Sequence, residues 1–395
     1  MKISRNWLSN FITSSKSDFE LVDAFTQLGL ECTSSKINSI DSKVIVGKVK
    51  SCTKHPNADR LNLCEVDTGS DLLQIVCGAP NVKENILVPI ATLGSKIGDF
   101  EIKKTKIRGI ESNGMICSEK ELGISDNHEG IMVLDGAFKI GQTFSEALKL
   151  EQDTIFDFDI TPNRGDCLSV RGVARDLAAA GLGKLKENLL IKNIEGTFNS
   201  PVQWEKDFTG DEEYICPGVA GRYFKNVTNK ESPAWLQQRL KAIGLRPISA
   251  LVDITNYITY DLGRPLHVYD ADKISGNLKM RYAKEKENCL TLDEENRECT
   301  KDMIVISDDK QLHGIGGVMG GFDSGCSVNT KNVFLETALF DPISVTKTGR
   351  HLKLQSDARY RFERGIDPTS IQWGVQAATK MILDLCGGDA SKTVQ

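Results

Sequence analysis

Residues 253–270 read DITNYITYDLGRPLHVYD, and the passage changes character at its middle. Asp253, Thr255 and Asn256 stand among apolar residues in a helix-like run. Asp261-Leu-Gly-Arg-Pro265 then interrupts it. Gly263 permits a positive φ, and Pro265 fixes its own φ and biases Arg264 toward an extended backbone. A helix-like segment therefore breaks at a turn. A short extended segment follows and delivers His267 between Leu266 and Val268. These residues alone admit two readings: a core histidine held by Asp270, or a histidine presented to a site.

Two later segments bear on that choice. Residues 313–321, HGIGGVMGG, hold five glycines in nine positions, which lets a backbone approach a ligand closely. No Gly-Lys-Ser/Thr follows, and Met319 stands where a dinucleotide-binding fingerprint needs its last glycine. A tight strand–turn–strand connection is the alternative. Val333-Phe-Leu-Glu336 reads as a buried strand that ends on a carboxylate. Residues 350–368, RHLKLQSDARYRFERGIDP, are dense in charge but carry aromatic anchors, with Phe362 expected to be buried on a charged helix.

Upstream the pattern differs. Ser17 and Glu20 have capping-box spacing, and Leu21, Phe25 and Leu28 follow at helical spacing until Gly29. From Val44 to about Leu134 short alternating strands are punctuated by glycines, as in a small barrel. Lys96, Lys103, Lys104, Lys106 and Arg108 cluster there against Asp99 and Glu101. Asp166 is placed to cap a second helix whose apolar stripe is Val170, Val173, Ala174, Leu177 and Ala178, stopped by Gly181. Lys192 to about Tyr214 reads as a polar linker with some strand. The remainder mixes helices, as at residues 233–243, with strands, as at 303–307, and reads as α+β.

Composition sets the frame. At 395 residues, two to four domains are expected. A hydrophobic share of 40% with 26% charged residues fits a soluble globular protein, without a membrane span or signal peptide. The 11 cysteines include no CxxC pair, which points to a reducing cytoplasmic setting and to no zinc site. A net charge of −5 argues against nonspecific coating of nucleic acid, so any RNA contact needs a local basic patch.

The segments around His267, the glycine run and Glu336 together resemble the editing module of the bacterial phenylalanyl-tRNA synthetase beta subunit. Residues 44–67, VIVGKVKSCTKHPNADRLNLCEVD, are similar to the opening of that family's tRNA-binding barrel, and residues 158–166, FDITPNRGD, to its segment between barrel and editing module. The resemblance covers nearly the whole chain in the family's order. It implies an α+β multidomain fold: a small helical, winged-helix-like domain (1–39 plus 151–190), an inserted OB-fold tRNA-binding barrel (40–150), and an editing domain of B3/B4 type (191–395). It implies hydrolysis of tyrosyl-tRNA(Phe). Glu336 would meet the substrate hydroxyl, with Gly320 and Ala358 as close walls. His267, Asn256, Thr255 and Ser356 would face the ester and terminal adenosine, His267 either as general base or as an orienting donor. Lys54, His55, Arg60 and the barrel cluster Lys96, Lys103, Lys104, Lys106 and Arg108 would contact tRNA. No cofactor is expected in this portion. ATP, Mg²⁺, the alpha subunit and a heterotetramer of two alpha and two beta subunits belong to the whole enzyme, whose alpha-facing, magnesium-binding and anticodon-reaching parts are expected beyond residue 395. Arg359-Tyr360 stands where many relatives have Ser-His, and Ser356 where many have threonine. A noncatalytic tRNA- or partner-binding module is the alternative function.

Overall fold

The computed structural model describes residues 1–395 except Ser39, Asp99, Asp126, residues 187–191, Thr209 and the side chain of Asp211. The boundary expected at 190/191 and the Asp99 set against the lysine cluster lie outside the described residues. The chain forms two units, Met1–Ser34 with Ile155–Gln395, and Ser35–Thr154.

The first unit opens with β1 (Lys2–Ser4), α1 (Asp18–Gln27) and β2 (Glu31–Ile37). The expected capping box is present: the Ser17 hydroxyl accepts from Glu20 N at 3.3 Å, and the Glu20 carboxylate accepts from Ser17 N at 2.8 Å. Two orphan amides at the helix start are thereby satisfied.

In the second unit β3 (Val44–His55), β4 (Ala58–Asp67), β5 (Leu72–Cys77), β6 (Leu87–Thr92) and β7 (Gly114–Ile116) form an antiparallel sheet in the order β7-β6-β3-β4-β5. A bulge between Val49 and Ser51 lets the long β3 turn from β6 to β4. The sheet nearly closes on itself. Asn113 N donates to Gln74 O at 2.8 Å, and Val76 N donates to the Ser112 hydroxyl at 3.1 Å, across its two edges. Val49, Val66, Ile75, Val88 and Ile90 fill the interior.

The chain returns through β8 (Asp153–Asp159), which lies between β1 and β2 in a three-stranded sheet. The flanks of the barrel, expected to be helical, are therefore mixed. Helix α2 (Val170–Ala179) buries Val170, Val173, Ala174 and Leu177 as its stripe requires. Its cap is Ser169, which accepts from Gly172 N at 2.9 Å, and not Asp166, whose carboxylate is taken by Arg164 and Arg175.

Two larger sheets, with a small hairpin of Glu287–Leu290 and Asn296–Cys299, then build the remainder. β9 (Gly218–Lys225) precedes helices α3 (Ala234–Ala242) and α4 (Ala250–Leu262) and strand β10 (His267–Asp270). The helix-to-strand break falls where the sequence put it, with Gly263 as a left-handed cap at φ 75. β11 (Leu278–Tyr282), β12 (Ile304–Ser307), β13 (Leu312–Ile315) and β14 (Met319–Gly320) form one sheet, joined at its edge by Trp204–Asp207 from the stretch read as a linker. β15 (Val333–Leu339) lies between β10 and β9 in the other, with β16 (Asp389–Ala390) at that sheet's edge. Helices α5 (Asp357–Phe362) and α6 (Ser370–Cys386) complete the unit. Phe362 is buried as expected, yet so are Arg359 and Arg361, so this helix is not a solvated charged face.

One core joins residues far apart in sequence: Trp7 and Phe25 share it with Leu177, Ile254, Leu335 and Val375. Trp7 stacks on Tyr257 at 4.9 Å between ring centroids, and its Nε1 donates to Asp261 Oδ1 at 2.7 Å. Burial lifts the Asp261 carboxyl to about 7. Trp7→Ala will destabilise this unit by about 3–5 kcal/mol, since it opens a cavity and strips a buried carboxylate of its donor. Chemical denaturation followed by tyrosine and tryptophan fluorescence checks this.

Candidate functional site

The register of β10 against β15 sets His267 opposite Glu336 and Tyr269 opposite Phe334. Side chains alternate along a strand. Val333 and Leu335 enter one core, Phe334 and Ala338 the other, and Glu336 shares the second face. Glu336 thus lies within a buried strand rather than at its end, as the sequence reading had it. Diagonal neighbours across a sheet lie within reach of an aromatic side chain. The Tyr269 hydroxyl uses that reach to donate a hydrogen bond to Glu336 Oε2.

The glycine run forms the hairpin β13–β14, with Gly314 opposite Gly320. It is a tight strand–turn–strand connection and also a wall. A Cβ at Gly320 would lie 2.2 Å from His267 Cε1, so only glycine lets the hairpin close over the imidazole. Helix α5 adds Ala358 and Phe362. These groups enclose a pocket of about 70 Å³ whose walls include His267, Tyr269, Gly320, Glu336, Ala358 and Phe362.

Four expected site residues, His267, Glu336, Gly320 and Ala358, therefore meet in one place. Three others do not line it. Ser356 caps α5, accepting from Arg359 N at 3.0 Å, while its hydroxyl donates to the Val318 carbonyl of the hairpin turn. Thr255 is buried on α4 and donates back to Val252 O at 2.8 Å; Asn256 follows it on the same helix. Asp270 does not hold His267; it accepts from the Thr330 hydroxyl at 2.7 Å.

Burial governs the electrostatics. Desolvation lifts Glu336 from 4.5 to about 7, against the opposing pull of the Tyr269 hydrogen bond and the Arg264 charge. Arg264 is fully buried, donates to the Ala338 carbonyl, and makes no ion pair among the described residues; burial lowers it to about 10. Desolvation, with His313 nearby, drops His267 to about 4, so the ring is neutral at physiological pH. Its Nε2 is shut off from solvent and has no hydrogen-bond partner among the described residues. The sequence reading missed Tyr269 and Arg264. Alternation along HVYD puts Tyr269 on the face of His267, which was the available signal; nothing local marks Arg264 as buried.

The barrel cations divide. Lys54, Arg60, Lys96, Lys103, Lys104, Lys106 and Arg108 are exposed. Lys103 pairs with Glu101 at 3.5 Å and Lys104 with Glu111 at 2.9 Å. His55, expected to contact RNA, is buried: its Nε2 lies 3.2 Å from Ile107 O and its Nδ1 accepts from Asn57 N at 3.0 Å. It ties the β3–β4 tip to residues 107–109, bringing Lys54 and Arg60 to the same end as Lys106 and Arg108. Among the described residues one acid–thiol group, Asp166, Cys167 and Asp176, is close enough to hold a metal, and the Arg164 guanidinium already contacts all three.

Residues 44–143 match a family model described as "Putative tRNA binding domain", and residues 215–387 match the B3/4 domain. The chain is 47% identical over 404 residues to the phenylalanine–tRNA ligase beta subunit of Rhodospirillum rubrum, covering 100% of this chain and 49% of that protein. It is 45% identical over 397 residues to the subunit of the same name from Mesorhizobium japonicum, with coverage of 100% and 49%. The chain thus spans about half the length of the curated relatives it matches. Among solved structures it is similar to an N-terminal fragment of the phenylalanyl-tRNA synthetase beta subunit from Pyrococcus horikoshii, at 15% identity and a TM-score of 0.34, covering 60% of this chain and 63% of that one. Across its own full length the chain is thus similar to phenylalanine–tRNA ligase beta subunits, and it matches both the tRNA-binding and the B3/4 domain models.

Proposed function

We propose that this chain binds tRNA(Phe) and hydrolyses tyrosyl-tRNA(Phe) in the pocket between β10, the glycine hairpin and α5. The observation that carries this reading is Glu336: a buried carboxylate on the wall of a largely apolar pocket, already accepting from a phenol hydroxyl. A synthetic pocket for phenylalanine rejects the added hydroxyl of tyrosine by only about 10²-fold, whereas a site built to hydrogen-bond a hydroxyl discriminates strongly against its absence. Phenylalanine in this pocket would leave the second oxygen of Glu336, the one that Tyr269 does not hold, without a donor.

The ester to be cleaved is already activated. A water oxygen adds to the carbonyl carbon, the bond to the terminal ribose oxygen breaks, and that oxygen takes up a proton. A histidine held near 4 is a poor proton acceptor at neutral pH. His267 therefore orients water or ester rather than serving as principal base. Ser356 holds the hairpin wall through Val318, and Thr255 and Asn256 act outside the lining.

The nearly closed five-stranded sheet supports reading this unit as an OB fold, whose exposed cations at the Lys54–Arg108 end would supply phosphate contacts. Replacing Lys54, Arg60, Lys106 and Arg108 together with glutamine will reduce the slope of log affinity against log salt by about 3, from roughly 0.7–0.9 per lost phosphate contact. Filter binding across a salt series measures it. In the whole enzyme this chain works with an alpha subunit in a cytoplasmic heterotetramer, where ATP and Mg²⁺ serve aminoacylation. No editing step runs through either.

The test is hydrolysis of tyrosyl-tRNA(Phe) beside phenylalanyl-tRNA(Phe). Selective release of tyrosine supports the reading. Tight tRNA binding with neither ester cleaved would overturn it in favour of a noncatalytic binding module.

A further inference from the structure

We infer that Tyr269 is a positioning residue for Glu336: its hydroxyl occupies Oε2 and leaves Oε1 for the hydroxyl of an incoming phenol. The inference rests on the editing reading and adds a specificity determinant to it.

The geometry is unusually constrained. Tyr269 is fully buried. Its ring packs edge-on against His267, with centroids 4.4 Å apart at 79°, and against His313 at 6.1 Å and 77°. It has no room to swing away. Its hydroxyl reaches Glu336 across the diagonal of the β10–β15 pair. Oε1 of Glu336 carries no hydrogen bond among the described residues, and Glu336 lines the pocket. One oxygen is therefore committed and the other available. A carboxylate held at one oxygen cannot rotate to give a ligand two acceptors, so the site takes one hydroxyl in one direction.

The same bond favours the ionised carboxylate against burial. The charged and titratable groups around Glu336 are Arg264 in the turn before β10, His267 and Tyr269 on β10, His313 on β13 with Asp308 at 2.8 Å, and Cys216 ahead of β9; Asp367 also acts on Arg264. Of these only Tyr269 donates a hydrogen bond to Glu336. Burial favours the neutral acid, while Tyr269 and Arg264 oppose it. A protonated Glu336 would no longer offer the phenol a charged acceptor.

The test is Tyr269→Phe, which keeps the ring and removes only the hydroxyl. Two readouts are taken. In hydrolysis across about pH 5.5 to 9, kcat/KM for the tyrosyl ester is expected to fall about tenfold near neutrality, chiefly through KM, and to recover toward alkaline pH. The phenylalanyl ester, which brings no hydroxyl to Glu336, is expected to change by a much smaller factor, so that the selectivity between the two esters falls. In carboxyl ¹³C NMR, the Glu336 titration is expected to move to higher pH in the variant. An unmoved titration and an unmoved pH profile would overturn the inference. If the unmodified chain shows no selectivity, the editing reading fails instead, while the NMR titration still decides the role of Tyr269.

Discussion

Glu336→Ala will cut kcat/KM for tyrosyl-tRNA(Phe) hydrolysis by about 10- to 100-fold and leave the phenylalanyl ester within a few-fold. A hydrogen bond to a charged group is worth roughly 1.5–3 kcal/mol, and only the tyrosyl substrate can form it. The pH dependence follows from the same residue. Glu336 is raised to about 7 in the folded protein. Selectivity should decline as pH falls through that value, since the acceptor becomes a neutral acid. Stability moves the other way. Between about 4.5 and 7 the folded state binds more protons at this position than the unfolded state, so the residue destabilises the fold progressively as pH rises through that window. Glu336→Gln will therefore melt higher than the unmodified chain at pH 8 and close to it below about pH 4.5. Stopped ester assays and thermal melts at the two pH values measure both effects. Equal loss on both esters would show that Glu336 maintains the pocket rather than reading the substrate.

Gly320→Ala will lower tyrosyl-ester hydrolysis by about 10²-fold or more. The added Cβ would sit 2.2 Å from His267 Cε1 and 2.7 Å from Nε2. The imidazole has no easy retreat, because the Tyr269 ring packs against it. A displacement near 1 Å at a reacting centre costs on the order of 10² in rate. Overpacking of this kind destabilises by about 1–3 kcal/mol, so the variant should remain folded at 25 °C. A folded Gly320→Ala chain with unchanged hydrolysis would mean that His267 plays no part in positioning the reacting groups.

What the sequence disclosed, and what it hid, follows the range of the forces involved. The end of α4 at Leu262, the left-handed Gly263 and the strand start at His267 are set by neighbours in the chain, and they were legible. So was the capping box at Ser17. The meeting of His267 with Glu336 could be expected only through family resemblance, because strand pairing across that distance leaves no local mark. Glu336 was misplaced at a strand end for a related reason. A strand buried on both faces tolerates a carboxylate only where tertiary partners such as Tyr269 and Arg264 receive it. The same blindness hid Arg359 and Arg361, whose burial is met by carbonyls and carboxylates: Arg359 reaches Leu354 O and Glu363, and Arg361 reaches Leu168 O and Asp357. His55 reads as a tRNA contact until residues 107–109 are seen to cover it. Thr255 and Asn256 were a matter of rotation: composition places them on a helix, but does not tell that they stay out of the pocket lining.

The shared core of Trp7, Ile254 and Val375 also sets an order of events during synthesis. Ser35–Thr154 is continuous, so the barrel can complete its sheet soon after it leaves the ribosome. The 34 residues made before it cannot finish folding, because Trp7 awaits Tyr257 and Asp261, and Phe25 awaits Phe156 and Phe158. Residues 1–34 are thus buried later than the barrel that follows them in the chain. Until then their apolar side chains depend on chaperones or on speed to avoid other partners.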